Sequence, residues 1–261
     1  MLVVWLTATS AVAAFDHRHS LFDQLLHEHV SWNDAGVASR VDYAGFRRDR
    51  KLFDAYLKQL SGVSRNEFDS WSKPVRLTFL INAYNAFTIE LILDADPQVA
   101  SIKELGSLFF TPWSKKFFTL LGARRSLDNI EHDLIRAKGA YNEPRVHFAL
   151  VCASVGCPGL RDEAFTPAAL DSQLEDSLRR FLKDRSRNRY DPQQGMLEVS
   201  KIFDWYGDDF KDFRDYGSVK LFLGAYASLL SDDPAVRARL AKGSVPLRFL
   251  EYDWSINRRE G

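Results

Sequence analysis

VRLTFLINAYNAFTIELIL, residues 75–93, is apolar on nearly every face when wound at 3.6 residues per turn, as expected of a helix surrounded by protein on all sides. It predicts the centre of the fold. Pro74 suits the first turn of such a helix, and residues 94–97 end it. Thr78, Asn82 and Asn85 interrupt the apolar surface at i, i+4 and i+7, which puts them on one stripe. A buried amide left without partners costs roughly 1–3 kcal/mol. The stripe therefore either pins neighbouring loops or lines a site.

Working outward, residues 17–30 read as an amphipathic helix, with Leu21, Phe22, Leu25, Leu26 and Val30 at helical spacing. His17, His19, His27 and His29 fall in i, i+2 pairs that diverge on a helix, so no metal site is expected. Residues 41–43 suggest a short strand or turn, and residues 47–60 a second helix. Ser64 with Glu67 is a capping-box pattern. Residues 101–121 are aromatic but poorly periodic, a packed loop or hairpin suited to covering a pocket. Ser126 caps a helix carrying Glu131 and His132, with Asp128 one turn before the histidine. Residues 166–182 form a clear amphipathic helix, 190–203 a hairpin, 218–230 and 234–242 two more helices, and 245–254 a final strand. The expected class is α+β: one helix-rich domain with a small, mainly antiparallel sheet around the buried helix 75–93.

Thirty-five basic residues balance thirty-five acidic ones, so no long-range field recruits nucleic acid or an anionic membrane. The basic cluster at residues 179–189 reads as a solvated helix end. Residues 1–14 are uncharged and apolar, close on Ala11-Val12-Ala13-Ala14, and precede polar sequence. That pattern predicts a secretory signal, a domain over residues 15–261 and a secreted or periplasmic location. The run is too short to span a bilayer, so no membrane span is expected in the mature chain.

RVHFALVCASVGCPGLR, residues 145–161, holds both cysteines and one of the six histidines. Val146, Phe148, Leu150 and Cys152 alternate with His147, Ala149 and Val151, which predicts a strand. Small residues and Cys157-Pro158-Gly159 then predict a turn just beyond it. In a regular strand His147 and Cys152 point opposite ways, which favours Cys157 as the reactive thiol and Cys152 as a core residue.

Five blocks, at residues 80–89, 126–136, 146–161, 200–210 and 252–257, together resemble the family catalogued as domain of unknown function 547, in its bacterial secreted branch. The resemblance covers about residues 65–257. It implies a shared fold and a motif set comprising Asn82, Tyr84, Asn85, Glu131, His132, His147, Cys152, Cys157, Pro158, Lys201, Trp205 and Tyr206, without a settled reaction.

The residue types support three readings. A thiol enzyme for acyl or amide hydrolysis or transfer would use Cys157 as nucleophile, His132 or His147 as base, and Glu131, Asn82 or Asn85 to orient the imidazole. Tyr84, Cys152, Lys201, Trp205 and Tyr206 would then bind or support. A non-catalytic module binding a small molecule or peptide would be stapled by a Cys152 to Cys157 disulfide. A thiol-disulfide redox role is the third, although C-x4-C departs from the C-x-x-C of thioredoxins. No cofactor or metal is implied.

Overall fold

The computed structural model describes residues 14–95, 97–107 and 110–259. The expected signal segment lies, apart from Ala14, outside the described residues. At its centre a helix runs over Lys73–Leu93 with Pro74 in its first turn, and residues 77–89 are buried without a break. Thr78 turns its hydroxyl back to the carbonyls of Pro74 and Val75 in its own helix, at 3.0 and 2.9 Å. Asn82 and Asn85 reach outward instead, to other parts of the chain.

The N-terminal helix Ser20–His29 packs Phe22, Leu25 and Leu26 into the core. The helix expected at 47–60 is two, Tyr43–Arg48 and Arg50–Gly62. They part at Asp49, whose carboxylate accepts a hydrogen bond from His29 Nε2 at 2.8 Å. Asp42 caps the first piece by accepting from Gly45 N. His19 is buried, with its Nδ1 2.7 Å from the Tyr56 hydroxyl.

Among the described residues the strands form three separate small sheets rather than one. Val30–Trp32 pairs with Ser39–Val41, and Phe118–Leu120 with Ala123–Arg125, both antiparallel. The second hairpin turns at Leu121 and Gly122, both at positive φ, the geometry that matches the twist of two-residue hairpins. Arg189–Asp191 pairs antiparallel with Met196–Val199, which pairs in parallel with Leu247–Phe249. The class is as expected: α+β, helix-rich, with small and mainly antiparallel sheets.

The strand predicted at 146–152 does not form. Pro144–Phe148 is a tight turn of 3-10 helix, and the chain beyond it is irregular. Asn85 occupies the Ala149 carbonyl and the Val151 amide, the groups a strand would offer to a neighbour. Residues 146–151 are all buried, because this segment is walled on both sides. Val146 and Leu150 join a core built on the central helix and the N-terminal helices. Phe148 instead joins a second cluster, with Phe181, Phe203, Phe210 and Phe222.

Leu170–Lys183 bridges the two, giving Leu174 to the first core and Leu178, Phe181 and Leu182 to the second. The second core is completed by Ile202–Trp205, Val219–Ala225, Ala227–Leu230 and Pro234–Ala241. The single helix expected at 218–230 is broken at Tyr226, while Ser218 caps its start as predicted. Among the described residues no helix is long and apolar enough to cross a membrane.

Candidate active site

A cavity of about 350 Å³ opens at the seam between the two cores. Tyr84, Leu150, Cys152 and Cys157 line it from the first, and Ile202, Tyr206 and Tyr252 from the second. Trp113, from the aromatic segment expected to cover a pocket, forms part of its wall. Glu131, His132, His147 and Trp205 line it as well. Most of the sequence-predicted site residues therefore meet in one place, although they come from segments far apart in sequence.

The thiol loop is held from two sides. Asn85 donates to Ala149 O and accepts from Val151 N, both at 2.9 Å. On the other side, Ser255 O accepts from Val155 N at 2.7 Å, Asp253 O from Gly156 N at 2.8 Å, and Ala153 O from Asn257 N at 2.9 Å. Arg187 donates to the carbonyls of Val155 and Cys157. Gly156 is required by this fit, since a Cβ there would lie 2.9 Å from Asp253 O. Ala153 takes a left-handed conformation, φ 61°, which turns the chain between Cys152 and Ser154.

The sulfurs of Cys152 and Cys157 lie 2.7 Å apart and both cysteines are free thiols. The expected disulfide is absent, since a covalent S–S bond spans about 2.05 Å. The expected exposure of the two cysteines also reverses. Cys157 is buried while Cys152 is partly exposed, because the strand on which the parity rested does not exist. Burial opposes ionisation of Cys152. Hydrogen bonds to Cys157, Ser154 at 2.9 Å and Tyr252 at 3.3 Å outweigh it and bring the thiol down to about 7. Burial and the neighbouring Cys152 push Cys157 up. Cys157 Sγ also accepts from Cys152 N at 2.8 Å. A protonated Cys157 that donates to a Cys152 thiolate satisfies all of these contacts.

His147 stacks on Tyr206 with ring centroids 3.9 Å apart, and its Nε2 donates to Asp209 Oδ2 at 2.7 Å. That bond fixes the proton on Nε2 and leaves Nδ1 as the basic nitrogen. Arg136 forks the same carboxylate at 2.7 and 3.1 Å. Burial disfavours the charged form of Asp209, but His147 and Arg136 overcome it and hold the carboxyl far below the usual range. Arg136 also donates to His132 Nδ1 at 2.7 Å. A guanidinium only donates, so the His132 nitrogen it meets is already occupied as an acceptor.

The expected orienting groups act elsewhere. Burial and the adjacent Glu131, which hydrogen-bonds Tyr206, push the Tyr206 phenol up and keep it protonated. Asn82 pairs with Phe165, donating to its carbonyl at 2.8 Å and accepting from its amide at 3.0 Å. Neither Asn82 nor Asn85 lines the cavity. Both pin backbone, as an amide on a buried helix is expected to do. Lys201 lies outside the lining and pairs with Asp204 at 3.0 Å. Asp209, Ser154 and Tyr252 were not singled out in the sequence. Asp209 did stand in the quoted block 200–210, Ser154 in 146–161 and Tyr252 in 252–257.

Residues 68–182 match the model of the family described as "Protein of unknown function, DUF547". The match over this stretch supports membership of the DUF547 family. No curated protein and no solved structure gives a match. The DUF547 match contains both cysteines, His132, His147, Glu131 and the two pinning asparagines. Trp205, Tyr206, Asp209, Tyr252 and Trp254, which complete the site, lie beyond it.

Proposed function

We propose that this DUF547 protein is a thiol-dependent acyl or amide hydrolase or transferase in which Cys152 is the nucleophile. The observation that carries the reading is the Cys152 sulfur, partly exposed in the cavity and hydrogen-bonded by Cys157, Ser154 and Tyr252. Such a thiolate forms near neutral pH. His147, held by Asp209 at 2.7 Å, supplies an oriented imidazole in the same cavity.

In the reaction the Cys152 thiolate attacks a carbonyl carbon, and the tetrahedral adduct collapses to a thioester. The amine or alkoxide that leaves takes up the proton that Cys152 gave to His147 Nδ1 on ionising. His147 Nδ1 then removes a proton from water, or from an acceptor amine or alcohol, as that group attacks the thioester. The second collapse frees the product and restores the thiolate. The apolar segment 1–14 supports export before the protein acts, which N-terminal sequencing of protein recovered outside the cytoplasm tests.

An activated ester such as p-nitrophenyl acetate provides the test of the chemistry. A burst of nitrophenol is expected, with the acyl group found on the Cys152 peptide by mass spectrometry. Cys152→Ser must abolish both, and Cys157→Ser must retain the acyl adduct. An undiminished burst in Cys152→Ser would sink the proposal.

A second reading draws on the 2.7 Å sulfur separation and on the opposite shifts of the two thiols. A low-molecular-weight disulfide such as oxidised glutathione would be attacked by Cys152, expelling one thiolate. Cys157, losing its proton, would displace the second and close a Cys152 to Cys157 bond. This reading requires Cys157→Ser to stop at a stable mixed disulfide on Cys152; a wild-type protein that forms no internal bond under the same treatment eliminates it.

A further inference from the structure

The cavity has one chemical bias that the thiol reaction does not use. Its wall is built from tryptophan and tyrosine: Tyr252 and Trp254 rings lie 4.5 Å apart, Trp205 and Trp254 5.6 Å, and Trp113 and Trp254 5.7 Å. Trp205 is 43% exposed, a large apolar surface left in water at the edge of a pocket. Among the described lining residues the acidic side chains are Asp128 and Glu131, and no lysine or arginine is present.

Arg136, which lies over the Tyr206 ring, is already held in a fork by Asp209. Among the described residues the ionic partner of Asp128 is the His132 Nε2 at 3.9 Å, too far for a hydrogen bond. Within the protein the wall already takes an ammonium: Lys103 Nζ sits 4.2 Å from the Trp254 ring centre. Aromatic faces attract cations through the ring quadrupole, most strongly for tryptophan and where water is excluded.

From the aromatic wall, the exposed Trp205 and the Asp128 carboxylate, which His132 approaches only to 3.9 Å, we propose that the cavity takes a substrate bearing an ammonium group. The cation rests against Trp205 and Trp254 with Asp128 as its counter-ion, and the acyl carbon lies toward Cys152. This assignment rests on the thiol reading for the direction of the acyl group. The cation site itself does not depend on catalysis.

The experiment uses the full chain carrying Cys152→Ser, so that no turnover occurs, and follows tryptophan emission. Choline is titrated against 3,3-dimethylbutan-1-ol, its uncharged isostere. Choline is expected to quench and to bind about tenfold or more tightly than the alcohol. Asp128→Asn and Trp205→Leu, both at partly or largely exposed positions, should each weaken choline several-fold and leave the alcohol nearly unchanged. Circular dichroism confirms that the variants are folded. Equal binding of the two probes, or binding of neither, overturns the proposal. Saturable choline binding to a protein whose wild type never acylates Cys152 would instead retain the cation site and reject the thiol reaction.

Discussion

Replacing Asn85 with alanine should damage the fold and the thiol together, and the size of the damage follows from two hydrogen bonds. The Asn85 side chain is the partner of the Ala149 carbonyl and the Val151 amide, each at 2.9 Å, and both of those residues are buried. Alanine leaves both backbone groups without a partner, at roughly 1–3 kcal/mol each, so a loss of about 3–4 kcal/mol is expected. For a domain of this size that lowers the melting temperature by about 10 °C. Urea unfolding of wild type and Asn85→Ala, followed by circular dichroism, measures the difference. The same substitution frees the segment that sets Cys152 against Cys157, so in folded variant protein the alkylation midpoint of Cys152 should move up toward the ordinary thiol value of about 8.5. A loss below about 1 kcal/mol would refute the pinning role, since that is no more than one exposed hydrogen bond.

Four further outcomes are expected. Iodoacetamide should label Cys152 at a rate that rises with pH through about 7, while Cys157 stays unlabelled until the protein unfolds; labelling of Cys157 first would contradict the assignment. His147→Ala should leave that labelling within a few-fold of wild type, because neutral donors hold the thiolate, yet reduce turnover by about a hundredfold or more. His19 is buried and its pKa is lowered to about 3 by desolvation, so the fold binds fewer protons than the unfolded chain between pH 3 and about 6.5. Stability is then full above about 6.5 and declines as pH falls, by about 2–3 kcal/mol at pH 4.5, a slope that His19→Gln should flatten. Gly156→Ala forces the new methyl against Asp253 O and should cost about 1–3 kcal/mol while slowing Cys152 alkylation; an unchanged variant would mean the contact is easily relieved.

The central helix was legible because burial on every face leaves a long apolar run, and its two asparagines because a buried amide has few options. The gathering of Cys152, Cys157, His147, Glu131, Tyr84, Trp205 and Tyr206 in one cavity followed from motif blocks rather than from any local pattern. The expected exposure of the two cysteines failed for a physical reason. Residues 146–151 are all buried between cores on two sides of an irregular segment, and the spacing of residue types cannot separate that from a strand. Asp209 escaped notice because its pairing with His147 spans 62 residues and exists only once the second core has folded.

That two-core construction governs what the stretch of chain shared with the family can do alone. A fragment covering residues 68–182 would carry both thiols and His147. It would lack Asp209 to set the imidazole, Tyr252 to hold the Cys152 sulfur, and the aromatic wall of Trp205 and Trp254. The thiols would be present but the enclosure would not. A ligand filling the cavity would touch both halves, so its binding would couple two packing units that could otherwise open separately. Amide hydrogen exchange should then slow on both sides of the seam when the cavity fills, including in Val219–Ala225 of the second core, which contributes no residue to the cavity lining.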